Sequence, residues 1–280
     1  METISKAPTG ITIKTLAPFL ALTFGLTWGL AALLILFTDQ IIAIFGEISA
    51  SNPLFILAVY APGFAGVFLV WRHYGLNGLG SFFRRLILWR ASLVWWLFLI
   101  LGIPIVVYTG AAINGTISDP FPFSPWSQVL PALALALFLG PIEEFGWRGL
   151  ALPLLQRKFA PIWAGLIVGV IWALWHIPSF LLSGTAQSAW SFGPFFLGVV
   201  AISVILTPMF NASRGSLLIA VLFHFQMMNP IFPDAQPWDN YLWVLIAVIV
   251  VWINRRTMFH RGAAVTEVLM PGKEAHHDPS

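Results

Sequence analysis

The chain has 280 residues, of which 59% are hydrophobic and 9% charged, with a mean hydropathy of +0.86. Soluble domains carry roughly 25% charged residues, so the composition excludes a soluble protein and points to an all-α, polytopic membrane protein. The net charge of +3 then sets membrane orientation rather than nucleic-acid binding, and the lack of cysteine excludes disulfides, thiolate metal sites and cysteine nucleophiles.

The predicted elements follow in chain order. Lys6 and Lys14 precede an uncharged run from Thr15 to Thr38. That run is too long for a secretory h-region of about 7–15 residues, so it is expected to be a first membrane helix. A spanning helix needs about 20 mostly apolar residues, and eight segments qualify: 15–37, 53–71, 92–114, 128–156, 161–183, 191–211, 215–233 and 239–254. Between the second and third, the stretch LGSFFRRLILWR (79–90) reads equally as an interfacial amphipathic helix or as a basic loop. Residues 159–213 carry no Asp, Glu, Lys or Arg, and the small, polar GTAQSAWS (184–191) divides that run into two spans. Pro104, Pro141, Pro178 and Pro208 are expected to kink their helices. No hydrophilic stretch is long enough to fold alone, so 1–280 reads as a single integral membrane domain. Residues 262–280, including His276 and His277, are expected to form a disordered tail.

The charges orient the spans. Thirteen of the fourteen Lys and Arg residues fall in the connections after even-numbered spans or in the two tails. Asp39, Glu47, Asp119, Asp234 and Asp239 occupy the opposite connections, which hold no Lys or Arg. By the positive-inside rule this predicts eight spans with both termini cytoplasmic. The fourteenth basic residue, Arg148, lies inside the fourth span, within GPIEEFGWRGL (140–150).

Ionisable side chains at membrane depth are costly and mark function by default. Away from the interfaces they are Glu143, Glu144, Arg148, His176 and His224. They lie on three different spans, which suggests one shared cluster. Glu144 and Arg148 are four residues apart and can pair. Glu143 points about 100° away on an ideal helix, and is free for other work. A carboxylate and imidazoles can position and deprotonate a water, while further donors stabilise an oxyanion. Glu143, His176 and His224 also make up a familiar zinc set with an open position, so zinc and metal-free hydrolysis both remain open. The chain has no HExxH, no GxSxG and no aspartate pair in the spans, which removes the other common hydrolase motifs.

These residues resemble the CaaX-processing and bacteriocin-processing (CPBP, or Abi) intramembrane proteases, which include the type II prenyl-protein endopeptidases. EEFGWR (143–148) matches their EExxxR motif. WALWH (172–176) is similar to their FxxxH motif, with Trp172 in place of Phe. His224 in FHFQMMNP (223–230) resembles the start of HxxxN. The resemblance covers about 128–232, which would be the catalytic core. It implies that Glu143 and His176 activate a water, that Glu144 and Arg148 support the site with Trp172 packed beside it, and that His224 and an Asn form the oxyanion hole. The fourth residue after His224 is Met228, however, and Asn229 follows one position late. Asn229 reaches the His224 face only if the helix ends or bulges there.

The expected function is therefore an intramembrane endopeptidase with a cytoplasm-facing cavity. Membrane lipids and a membrane-embedded or lipidated peptide would be its partners, in a bacterial plasma membrane. A non-catalytic scaffold or bacteriocin self-immunity factor is the alternative. A proton-coupled transporter would use the same Glu and His as a relay, but the sequence shows no inverted repeat.

Overall fold

The computed structural model describes residues 10–270 and is all-helical, with no strand among the described residues. Six helices are long and apolar enough to cross a membrane, and two shorter apolar helices accompany them. These eight follow the eight segments expected from hydropathy. They are α1 (Leu16–Leu36), α3 (Pro53–Phe83), α4 (Leu93–Asn114), α5 (Trp126–Gln156), α6 (Pro161–Trp175), α7 (Phe192–Ala212), α8 (Leu217–Met227) and α9 (Trp238–Ile253). A short α2 (Thr38–Phe45) lies in the first connection. Among the six long spans α7 is the most enclosed, with 72% of its apolar window buried against 28–44% elsewhere. It packs between α6 and α9 at the centre of the core.

Three departures from the expected helices bear on the site. The first is α5, which is composite rather than one regular helix. After Leu139 the chain turns through a 3-10 segment at Pro141–Glu143, one helical turn at Glu144–Gly146 and a π-turn at Trp147–Ala151, then ends as Leu152–Gln156. Pro141 has no N–H and cannot continue the ladder, and the carbonyl of Phe138 is taken by the Tyr60 hydroxyl at 2.7 Å. Farther on, Pro153 removes the donor that Arg148 O and Gly149 O would otherwise meet one turn later. Arg85 replaces it: Nη1 donates to Gly149 O at 2.8 Å and Nη2 to Arg148 O at 3.4 Å. The second departure is α8, which stops at Met227 instead of running to 233. The third is the tail. Residues 262–270, expected to be disordered, are held against the bundle: Arg85 Nη1 donates to Val268 O and Gln156 Nε2 to Val265 O, both at 2.8 Å. Val268 is buried, so a few apolar side chains and backbone carbonyls suffice to anchor this strap. His276 and His277 lie outside the described residues.

The stretch 79–90 is helical in its first half. Backbone direction changes at Gly75, whose φ of +64° suits glycine, and α3 then continues to Phe83 and into a 3-10 turn at Arg84–Ile87. Pro208 lies inside α7, which runs through it as a single helix.

Candidate active site

The broken α5 brings its glutamates between α3, α6 and α8. Gly66 of α3 and Gly146 permit this approach, because a Cβ on Gly66 would come within 2.9 Å of the Gly146 Cα. Glu143 and Glu144 are both buried, at 3% and 0% exposure, and the local geometry gives them different partners.

Glu144 belongs to a charged cluster. Arg148 Nη1 donates to its Oε1 at 3.2 Å and forms an ion pair with Oε2 at 3.1 Å that lacks hydrogen-bond alignment. His224 Nδ1 lies 2.8 Å from Oε1. The expected pairing of Glu144 with Arg148 is present, and His224, expected on the oxyanion side, also contacts this glutamate. Arg148 stacks its guanidinium 4.6 Å from the centre of the Trp172 ring.

Glu143 is held by Trp172, whose Nε1 donates to Oε2 at 2.8 Å. The same residue positions His176, whose Nδ1 is 2.8 Å from Trp172 O. A carbonyl can only accept, so Nδ1 carries a hydrogen, and in the neutral ring Nε2 keeps its lone pair. Trp172 also meets the His224 ring edge-on at 5.3 Å between centroids. It therefore touches Glu143, Arg148, His176 and His224. The sequence treated this residue as a phenylalanine equivalent. The missed signal was the indole N–H, a donor that Phe lacks, one turn before His176.

Glu143, His176 and His224 line one cavity of about 770 Å³. Asn229 lines it too, but its Nδ2 donates to Gln226 Oε1 at 2.9 Å and its Oδ1 accepts from Ile231 N at 3.3 Å. The residue beside His224 is instead Met228: a Cβ on Gly140 would collide with Met228 Sδ and lie 3.0 Å from His224 Nε2. The far wall carries Asp239 and Asn240 from the start of α9, which hydropathy marked only as the beginning of a span.

Among the described residues no group of three His, Cys, Asp or Glu side chains is spaced to hold a metal ion. The cavity mouth also differs from expectation. Its exposed lining residues include Gly184, Ala186, Ala189 and Asp234, all in connections without Lys or Arg, and among the described residues no Lys or Arg lines it. It therefore opens at the end of the bundle opposite the basic connections, and not at the arginine end expected of a cytoplasm-facing cavity.

Residues 125–228 match the family model described as "Type II CAAX prenyl endopeptidase Rce1-like". The chain is also similar to CAAX prenyl protease 2 of Methanococcus maripaludis, at 28% identity over 174 residues. That alignment covers 58% of this chain and 62% of the relative, so less than two thirds of the relative's length is spanned. The matched region contains α5 through α8, and with them Glu143, Glu144, Arg148, His176 and His224, while Asp239 lies beyond it. Through these residues the chain is related to the CPBP family of membrane proteases.

Proposed function

We propose that the chain is an intramembrane endopeptidase in which Glu143 and His176 activate a water inside the cavity, in a bacterial plasma membrane. The observation that carries this reading is the double hold of Trp172, whose indole N–H fixes Glu143 and whose carbonyl fixes His176 on one cavity wall. The His176 Nε2 lone pair can accept a hydrogen bond from the water, and Glu143 accepts its proton as general base. The water oxygen attacks the peptide carbonyl carbon. Glu143 then returns the proton to the amide nitrogen, the C–N bond breaks, and a carboxylic acid and an amine leave. When both ring nitrogens of His224 carry hydrogen, Nε2–H is available to the oxyanion while Nδ1–H stays on Glu144. The substrate is a membrane-embedded or lipidated peptide, as the name of the archaeal relative suggests. No step is routed through a metal.

Purified protein in liposomes, offered a library of membrane-anchored peptides and read by mass spectrometry, tests the proposal. Glu143→Ala and His176→Ala should each abolish Glu143-dependent cleavage with the folded protein still in the membrane. Cleavage at the parent rate in both variants overturns it. A second reading, a non-catalytic scaffold or self-immunity factor, is favoured by one observation: the amide of Asn229 is committed to Gln226 and Ile231. It predicts that Glu143→Ala leaves the cellular phenotype intact.

A further inference from the structure

The cavity mouth and the basic residues occupy opposite ends of one bundle. The basic end is knitted together by its own arginines. Arg85 Nε donates to Gly215 O at 2.8 Å, Arg157 Nη1 to Ile11 O at 2.6 Å, and Arg261 Nη2 to Arg157 O at 3.3 Å. These contacts gather the connections after α3, α5 and α7 together with both ends of the described chain. Between Glu143 and that end, α5 continues through Glu144, Arg148 and Leu150, each fully buried.

At the other end the cavity reaches exposed residues, Gly184, Ala186 and Asp234 among them. Most helices contribute the halves nearest these connections: Thr27 and Ala31 late in α1, Phe55 and Ala58 early in α3, Phe195 and Val199 early in α7, with Glu143 near the middle of α5. His176 caps the C-terminal end of α6, and His224 sits one turn from the end of α8, both at this same end. Short connections rich in Lys and Arg remain on the cytoplasmic side of a membrane. The connections around the mouth carry Asp39, Glu47 and Asp234 and no Lys or Arg.

We infer that the catalytic cavity opens on the extracytoplasmic face, so that its substrate is a polypeptide anchored in the membrane that presents its cleaved bond from outside. This inference rests on the protease reading above and narrows its substrate class. A lipidated chain end attached to the inner leaflet would have to pass the packed arginine end to reach Glu143. A transmembrane polypeptide, or one held in the outer leaflet, meets the mouth directly.

The absence of cysteine makes single-cysteine labelling clean. Ala186 at the mouth and Ala263 at the arginine end are both exposed, and neither bears a charge that would disturb orientation. The variants Ala186→Cys and Ala263→Cys are made separately in the full chain. Each is expressed in the inner membrane of a bacterial host and treated with a membrane-impermeant maleimide. In intact spheroplasts Ala186→Cys should label to the same extent as after lysis, and Ala263→Cys should label only after lysis. The reverse pattern, or labelling of both in intact spheroplasts, overturns the inference. If either variant fails to accumulate, Ser188→Cys and Gly262→Cys replace the pair, since both positions are also exposed. The labelling requires no catalysis. A reversed pattern with Glu143-dependent cleavage intact therefore sinks only the sidedness, whereas expected labelling with no Glu143-dependent cleavage sinks only the protease reading.

Discussion

The two ends of the bundle use buried polar groups differently. At the arginine end Arg85 is 2% exposed and meets no carboxylate among the described residues. It spends its donors on the carbonyls of Gly215, Gly149, Val268 and Arg148, and its guanidinium lies over the rings of Phe82 and Phe210. All four of those hydrogen bonds go to backbone carbonyls, so this end is closed. At the cavity end the polar groups fix one another's side chains and keep faces toward open space: Glu143 on Trp172, His176 on a carbonyl, His224 on Glu144. The composite α5 joins the two regimes, because its π-turn is held by Arg85 while its 3-10 turn presents Glu143. Stability and chemistry are thus separable along one segment, and substitutions can test how separable.

The largest effect is expected at the junction of the two regimes. Glu144→Ala leaves Arg148 buried without its ion-pair partner, and breaking a buried pair from one side costs about 3–5 kcal/mol. The variant should lose cooperative unfolding in detergent at a much lower temperature than the parent, and unchanged melting would refute the pairing. Arg85→Met comes next. It strips hydrogen-bond donors from the π-turn and from the C-terminal strap, at about 1–3 kcal/mol for each carbonyl left dry. Melting should fall, while cleavage per folded molecule stays close to the parent value. A loss of specific activity without a loss of stability would mean that the closed end also shapes the site. Trp172→Phe reverses that signature. It removes one hydrogen bond to Glu143 and leaves the aromatic packing, so melting should hold while kcat/KM drops about tenfold, the equivalent of about 1.4 kcal/mol.

Much of this was legible in the sequence. Hydropathy located the eight apolar helices because a membrane span needs a long run free of charge, and such a run is visible without any contact map. The cluster on α5, α6 and α8 was legible for the complementary reason, since ionisable groups at depth have few alternatives to meeting one another. What stayed hidden depends on single hydrogen bonds. Trp172 looked like packing because its N–H has no periodicity to betray it. The strap at 262–270 looked disordered because Val265, Thr266 and Val268 are held mainly through their carbonyls, which every residue possesses. Arg85 read as one charge of a basic pair on an interfacial helix or a loop, and nothing in the stretch 79–90 announces that its partners lie on α5, beyond α7 and in the strap.

The smallest expected effect concerns the register of the third motif. Family resemblance asks for Asn four residues after His224, and the chain offers Met228 there and Asn229 next. Because α8 ends at Met227, the two side chains part: Met228 reaches Gly140 next to His224 Nε2, and Asn229 turns to Gln226. The position beside His224 is therefore the fourth one, where the resemblance asks for an amide and this chain has a thioether. A thioether donates no hydrogen bond. Asn229→Ala should consequently change cleavage by no more than about twofold, since its amide is already satisfied within its own loop. Met228→Asn should raise it, by about tenfold at most for one neutral donor to an oxyanion. Measured together in the liposome assay, the pair separates two arrangements. A large loss in Asn229→Ala would show that its amide swings from Gln226 to the substrate. A gain in Met228→Asn with Asn229→Ala silent would show that the open end of this bundle runs with His224 alone at the oxyanion, and is slower for it.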